Sequence, residues 1–360
     1  MSRSFAVWGC RDYHRNSKAE YNSDQMNFID ELHINFWNVS EHDFSYLDFG
    51  VSFKNPNDIS VAENGAICFF LPLVCQKYSF SDLSENLQSS RDLVTAVFNE
   101  FLIDTKTVDS RHLKLVLSNK GDLVVNTGLS FDGGELDRRI RITNPHNGTL
   151  IVFNLSECLS TELNCIHYLR FRIKLESHHL LTLVKTFYPN DLFLKSNIER
   201  TDIIDFRVNE QRNLPSEIAS TLASAACTPL KCHIFIIRDM VDDSSASGSN
   251  YKGCRILESE TWTKYFSHGT SFGKHDPMIY HWKISKDPSS RLNDFSVVVK
   301  FKNSKAKFSK VFAYLFYGAA ITTLLKFLPT DIHYKWVLLG ASAAFIISYI
   351  FSHFLPFRKK

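Results

Sequence analysis

Residues 168–175 read YLRFRIKL, and this short stretch sets the pattern for most of the chain. Arg170, Arg172 and Lys174 alternate with Leu169, Phe171 and other apolar residues, so a strand here has one basic and one apolar face. Similar alternation recurs in short runs bounded by turn residues throughout residues 1–299. The sequence therefore predicts a β-rich α+β body, sandwich-like, with a few inserted helices.

The alternating runs predict thirteen strands, and two longer segments predict helices. The strands are expected at residues 5–9, 32–39, 46–54, 66–73, 112–118, 123–127, 139–143, 150–155, 168–175, 203–209, 233–238, 278–284 and 295–301. The helices are expected at residues 81–102, which place apolar side chains on one face, and at 215–227, which begin with a proline. Residues 119–122 and 144–148 have the composition of hairpin turns.

Composition separates the last sixth of the chain from the rest. The protein has 360 residues, of which 44% are hydrophobic and 22% charged, which excludes a disordered or fibrous chain. The formal net charge is +3, but ten of the 41 basic residues and only one of the 38 acidic residues lie in residues 300–360. Residues 1–299 are therefore net negative, and the basic character belongs to the C-terminal segment.

Two apolar segments near the C-terminus predict a transmembrane hairpin. Residues 311–328 and 336–355, as helices, would be about 27 and 30 Å long, close to the thickness of a bilayer core. The alternative is a pair of buried helices in a large core. We expect a β-rich sensor domain at 1–187, a second β-rich subdomain at 188–299, and a Lys-rich linker with a two-helix membrane hairpin at 300–360.

The flanking charges predict the orientation of this hairpin. Five lysines precede the first span and three basic residues end the chain, whereas the short connecting loop has only Asp331, His333 and Lys335 as possible charges. Because basic residues resist translocation, both termini are expected to be cytoplasmic. The first residues contain no apolar run typical of a signal peptide. The basic segment would then contact the anionic headgroups of membrane lipids.

Small residues occur at helical spacing within both spans, where they would let helix backbones approach closely. The candidates for helix packing or for a pore are Gly318, Thr322, Thr323, Gly340, Ala344 and Ser348. The hairpin either packs on itself or assembles into a homo-oligomer, and the pattern leaves both open.

Known catalytic and cofactor motifs are missing from the sequence. It contains no phosphate-binding loop, no dinucleotide-binding glycine motif and no H-E-x-x-H, so we expect no catalytic residue, no metal ligand and no cofactor. The eight cysteines include no C-x-x-C pair, which favours free, buried thiols over a zinc site. Residues 269–273 match G-x-S-x-G, but a turn follows Ser271 where a nucleophile elbow needs a helix, so a hydrolase remains only an alternative.

A second alternating strand extends the basic character of residues 168–175. If the two strands were neighbours, their basic residues would form one patch suited to phosphate groups, which match the guanidinium fork. The six candidate residues for ligand binding are Arg138, Arg139, Arg141, Arg170, Arg172 and Lys174. The alternative is an ordinary solvated strand face, because alternation is expected of any half-buried sheet.

The layout of the chain resembles the membrane effectors of bacterial anti-phage abortive-infection systems. The apolar segments at 311–355 and the Lys-rich entry at 300–310 carry the resemblance, which is closest to Hailong-like effectors and next to CBASS-like ones. The resemblance implies an inner-membrane protein, a tetramer in the first instance, whose cytoplasmic domain binds a nucleotide or a single-stranded DNA oligomer. It also implies a partner nucleotidyltransferase-like enzyme.

Two readings of that function stay open at the level of sequence. In the first, the bound ligand controls an oligomeric ion channel or membrane-disrupting protein, and the resemblance leaves open whether the ligand opens or closes it. In the second, the hairpin is only an anchor for a membrane-tethered binding or scaffold protein. Both readings expect a binding protein and not an enzyme.

Overall fold

The computed structural model describes most of the first 304 residues. The described residues are 4–11, 27–39, 45–56, 59–119, 121–131, 137–162, 165–189, 199–240, 242–246, 248–266, 276–287, 290–304, 318–319 and 340. Within them, one compact unit comprises residues 1–187 and 201–303, and a second comprises residues 188–200 and 304–360. The first unit contains nearly all of the described residues.

In the part of the chain that the structure describes, eighteen strands build three sheets. They are β1 (Ala6–Cys10), β2 (Ile29–Trp37), β3 (Ser45–Lys54), β4 (Ala66–Leu71), β5 (Phe80–Asp82), β6 (Leu102–Thr107), β7 (His112–Leu117), β8 (Gly121–Asn126), β9 (Ile140–Thr143), β10 (Thr149–Asn154), β11 (Ile166–Leu175), β12 (Val184–Phe187), β13 (Glu199–Val208), β14 (Lys231–Asp239), β15 (Asp243–Ser245), β16 (Tyr251–Ile256), β17 (Pro277–Ser285) and β18 (Phe295–Ser304).

The largest sheet has ten strands, in the order β16-β17-β14-β2-β3-β11-β8-β7-β6, with β5 paired to β11. A four-stranded sheet has the order β1-β4-β10-β9, and a second one has the order β12-β13-β18-β15. Most neighbouring strands are antiparallel, but β14 pairs with β2 and β11 pairs with β8 in parallel. Each of the thirteen predicted strands overlaps an observed strand. The alternation of apolar and polar residues predicted them correctly because a strand in a half-buried sheet places alternate side chains on the buried face.

The main core lies between the ten-stranded sheet and the two four-stranded sheets. Phe49 on β3 and Phe171 on β11 both contact Phe69 on β4, with ring centroids 5.9 and 5.4 Å apart. Phe36 on β2 contacts Phe206 on β13 with a centroid separation of 5.3 Å. All five rings are fully buried. The described part of the chain is thus a β-sandwich whose inner faces supply many of its phenylalanines.

Among the described residues, seven short helices pack against the sheets. They are α1 (Ile59–Asn64), α2 (Ser84–Ser89), α3 (Arg91–Phe98), α4 (Leu155–Cys158), α5 (Ser177–Leu183), α6 (Ser216–Ala223) and α7 (Ser259–Thr263). Leu93 and Val94 of α3 and Trp262 of α7 pack against the outer face of the ten-stranded sheet. Ile218 and Leu222 of α6 pack against the first four-stranded sheet.

The predicted fold class requires a correction at its C-terminal end. Among the helices that the structure describes, none is long and apolar enough to cross a membrane. The longest, α3 and α6, have eight residues each and are about 12 Å long, less than half of a bilayer core. The prediction of a β-rich body followed by a transmembrane hairpin is therefore wrong as a description of this structure.

Several further predictions depended on the hairpin and are corrected with it. These are the location in the bacterial inner membrane and the transmembrane and ion-channel character, for which no spanning helix is found among the described residues. Of the candidate pore or packing residues, Gly318 and Gly340 are helical. The remaining ones, Thr322, Thr323, Ala344 and Ser348, lie outside the described residues, as do nearly all of the residues of both predicted spans.

Candidate functional site

The six predicted basic residues lie on two different sheets. Arg141 lies on β9 and Arg139 directly precedes this strand. β9 pairs with β10 at the edge of a four-stranded sheet. Arg170, Arg172 and Lys174 lie on β11, in the middle of the ten-stranded sheet. The two strands are not neighbours, so the structure does not bring these side chains together into one patch.

Two of the arginines on β11 are buried and bind groups inside the protein. Arg172 is only 5% exposed, and its Nε and Nη2 donate to the two carboxylate oxygens of Asp48 at 2.7 and 2.9 Å. Arg170 is 2% exposed and donates to the hydroxyls of Tyr265 and Tyr168 at 2.7 and 2.8 Å. The residues that follow α7 cover both guanidinium groups, so this strand offers no open phosphate site.

Arg139 is likewise buried in an internal ion pair. Its Nε and Nη2 each donate to one carboxylate oxygen of Asp137 at 2.8 Å, and its other contacts are the backbone carbonyls of Thr127 and Gly128. Burial raises the pKa of Asp137, but the hydrogen bonds and charge of Arg139 outweigh it and hold that pKa below its usual value. Asp137 is therefore ionised, and the pair is neutral overall.

Arg138 and Arg141 are exposed, and both line a cavity of about 400 Å³ beside β9. The cavity lies between the end of α1, the segment of β9 and the start of α4. Amide and hydroxyl side chains from these elements complete its wall, namely Asn64, Asn154 and Ser156. A volume of this size is within the range of small-molecule sites, so the cavity is the candidate functional site.

The acidic groups of the cavity are largely neutralised by other arginines. Asp137 is paired with Arg139, and the carboxylate of Glu157 lies 3.6 Å from the guanidinium of Arg111. The third acidic residue of the lining, Glu63, is exposed. Apart from these pairs, the charged side chains of the lining are Arg138, Arg141 and Glu63, so its formal charge is +1.

Backbone hydrogen bonds fix the shape of this cavity. Asn154 donates from its backbone amide to the carbonyl of Arg139 at 2.9 Å, and from its side-chain amide to the carbonyl of Arg138 at 2.6 Å. The next residue, Leu155, donates its backbone amide to the carbonyl of Gly65 at 3.0 Å. A Cβ atom at Gly65 would overlap the carbonyl of Val61, so only glycine permits this close approach.

The eight cysteines are free, as their spacing predicted, and six of them are buried. Burial raises the pKa of Cys75, Cys158 and Cys227 to about 12, so these thiols are protonated and unreactive at neutral pH. The serine of the G-x-S-x-G match, Ser271, lies outside the described residues.

One cluster of potential metal ligands was not predicted from the sequence motifs. Glu31, His33 and His233 lie on the outer face of the ten-stranded sheet, on β2 and its parallel neighbour β14. No short motif joins them, because two come from one strand and the third lies 200 residues later. Alternating polar residues on each strand were the only signal in the sequence.

Comparison with known proteins gives no matching family model and no matching curated protein.

Proposed function

We propose that this protein is a binding module for a small phosphate-bearing ligand, a nucleotide, in the cavity beside β9. The observation that carries the proposal is the pair of exposed arginines, Arg138 and Arg141, at a cavity of about 400 Å³. This proposal keeps the ligand-recognition part of the effector hypothesis and narrows its six candidate residues to two.

The chemistry of arginine favours phosphate over other anions at this site. A guanidinium presents its donors as a planar fork that matches two phosphate oxygens, and charge-assisted hydrogen bonds of this kind are about twice as strong as neutral ones. Arg139, between the two, is held in its pair with Asp137 and anchors the segment. The backbone that carries Arg138 and Arg141 is therefore held in place, and their side chains are positioned to bind a ligand.

The other lining groups favour a nucleotide over inorganic phosphate. Glu63, Asn64 and Ser156 offer acceptors and donors that an isolated phosphate would not use. A base or ribose carries complementary hydrogen-bonding groups. Glu63 also opposes a ligand that is purely anionic, so part of the ligand has to donate hydrogen bonds. The proposal involves binding and no catalytic step.

Isothermal titration of the full-length protein with mononucleotides, cyclic nucleotides and a short single-stranded oligodeoxynucleotide tests the proposal. Arg138→Ala combined with Arg141→Ala should weaken nucleotide binding at least about tenfold, the effect of losing one charge-assisted hydrogen bond. Arg255→Ala is the matched control, since Arg255 is an exposed arginine on β16, in another sheet.

Equal affinity of the double variant and the wild type would contradict the proposal, as would binding of every anion alike. Preference for the oligonucleotide over all mononucleotides would also overturn it, because a strand of DNA extends well beyond a cavity of this volume.

A further inference from the structure

We infer that Glu31, His33 and His233 form a binding site for a divalent transition-metal ion of the zinc type. The site is distinct from the nucleotide cavity: it lies on the outer face of the ten-stranded sheet, whereas the cavity lies beside β9.

The pairing of strands brings the three side chains together. β14 runs parallel to β2 with His233 directly opposite His33, and Glu31 lies two residues before His33 on the same face. The imidazole rings of His33 and His233 are 4.9 Å apart and nearly perpendicular. One carboxylate oxygen and two ring nitrogens from these residues all lie within 4.8 Å of one another.

This spacing is close to that of a metal site. Ligand atoms about 2.0–2.2 Å from a tetrahedral zinc ion are roughly 3.5 Å apart, so side-chain shifts of about 1 Å would close the site. The Oε2 atom of Glu31 is already 3.7 Å from Nε2 of His33. These two side chains are 18% and 15% exposed, so an ion and a water ligand can reach them from solvent.

The ring of His233 carries the sharpest indication. Its Nε2 atom is buried and has no hydrogen-bond partner among the described residues. Its other nitrogen, Nδ1, lies 3.1 Å from Nε2 of His281 on β17. In the tautomer in which Nδ1–H of His233 donates to His281, the Nε2 atom carries a lone pair, and no hydrogen-bond donor among the described residues faces it. A metal-binding histidine is held in this way by a second group behind it.

The ring of His281 lies behind His233 and is not one of the three proposed ligands. His281 would act as a positioning residue that fixes the tautomer of His233. Two imidazoles and one carboxylate are the donors of zinc sites that keep an open position for water.

A lysine competes with the ion for the carboxylate. Nζ of Lys231 lies 3.0 Å from Oε1 of Glu31 and 3.6 Å from Asp30, and Lys283 is a second nearby cation. A metal ion therefore has to compete with the ammonium group of Lys231 for the carboxylate of Glu31, which lowers the affinity for the metal. Substitution of Lys231 by a neutral residue should strengthen metal binding, a response that a purely structural cluster would not give.

Titration of the metal-free, full-length protein with Zn²⁺, followed by calorimetry, tests the inference. We expect one ion per chain at this site, and a loss of affinity of about 100-fold in His33→Ala and in His233→Ala. His281→Phe should lose about 10-fold, as is usual for a group behind the ligand, and Lys231→Met should bind more tightly. His146→Ala is the control, because that exposed histidine lies in the turn between β9 and β10.

Cobalt supplies a second readout that separates this site from the free cysteines. Co²⁺ bound by Glu31, His33 and His233 should give visible d–d absorption without thiolate charge transfer. Ca²⁺ and Mg²⁺ should not compete, since these ions prefer oxygen ligands. If His233→Ala fails to fold, as judged by circular dichroism, His33→Ala carries the test. Unchanged zinc affinity in His33→Ala, or a cobalt spectrum dominated by thiolate, would overturn the inference.

Discussion

Arg172 shows at the scale of a single residue why an alternating basic strand is not always a ligand-binding surface. Its guanidinium lies over the rings of Tyr46 and Phe266, 4.6 and 4.4 Å from their centroids, in addition to its pair with Asp48. Asp48 also accepts a hydrogen bond of 2.7 Å from the indole of Trp37. Periodicity predicted the face of the sheet on which Arg172 lies, but it could not predict that aromatic residues would cover that face.

Arg172→Met should therefore destabilise the fold instead of weakening ligand binding alone. The variant would leave the carboxylate of Asp48 buried without its main counter-charge, which typically costs about 3–5 kcal/mol. Urea denaturation measures the loss. Asp48→Asn added to Arg172→Met should recover part of it, and Lys174→Met, at an exposed site on the same strand, should stay within about 0.5 kcal/mol of the wild type. A loss below about 1 kcal/mol in Arg172→Met would contradict this account of the pair.

His167 should make the stability of the protein depend on pH. The side chain is 1% exposed and stacks on Phe53, and burial lowers its pKa to about 4, with a smaller contribution from His112. The unfolded chain, with an ordinary histidine pKa near 6.5, binds a proton between these values that the folded protein does not bind. The contribution of His167 to the unfolding free energy is therefore fully present above pH 6.5 and is lost as the pH falls. At pH 5 this loss amounts to about 2 kcal/mol.

Chemical denaturation of the wild type and of His167→Phe at pH 7 and pH 5 checks this prediction. Between pH 7 and pH 5, the unfolding free energy of the wild type should fall by about 2 kcal/mol more than that of His167→Phe. His178→Gln is the control, because His178 is exposed. A difference that does not change with pH would show that His167 is protonated in the folded protein.

At the scale of the element, the helix predicted at residues 81–102 shows where periodicity fails. The structure has two short helices there, α2 and α3, and a strand begins at Leu102. Ser90 is extended and accepts a hydrogen bond from the amide of Leu93, so it caps α3 instead of continuing α2. Asn99 ends α3 in the left-handed conformation. Apolar spacing alone does not reveal such caps.

Substitutions at Asn99 should test this helix end. Its φ of 53° is tolerated by asparagine and glycine but is strained for a β-branched residue. Asn99→Val should lower the unfolding free energy by about 1–2 kcal/mol, whereas Asn99→Gly should be neutral or slightly stabilising. Thermal or urea unfolding compares the two variants with the wild type. Equal stability of the valine and glycine variants would mean that the residue relaxes out of the left-handed conformation.

The candidate sites also depend on how elements pair, which the sequence shows only in part. The two arginines at the cavity, Arg138 and Arg141, were among the predicted basic residues, because they lie just before and on a strand with visible alternation. The cluster of Glu31, His33 and His233 was not predicted, since it needs β14 inserted in parallel beside β2. A register between strands separated by 200 residues leaves no local pattern.

At the scale of the whole molecule, the two halves of the described chain are interleaved in one compact unit. β14 and β17, from the second half, extend the ten-stranded sheet next to β2, and an isolated bridge joins Phe5 to Val208. Residues 1–187 and 201–303 thus share this sheet. No local pattern in the sequence shows that the second segment returns to the same core.

This interleaving predicts that the two halves unfold together. β2 and β14 pair in parallel along seven positions, with N–H groups of each strand donating to carbonyls of the other, and Ile34, Phe36, Ile234 and Ile236 belong to one hydrophobic core. If β14 separated, it would expose these side chains and a long, apolar sheet edge, so partial unfolding is costly. Native-state hydrogen exchange, measured by mass spectrometry in low urea, should give the same opening free energy for peptides of β2, β3, β11 and β14. Exposed β6, at the sheet edge, serves as the control and should exchange earlier. Exchange of β14 and β17 at clearly lower free energy than β2 and β3 would mean that residues 201–303 form a separate folding unit.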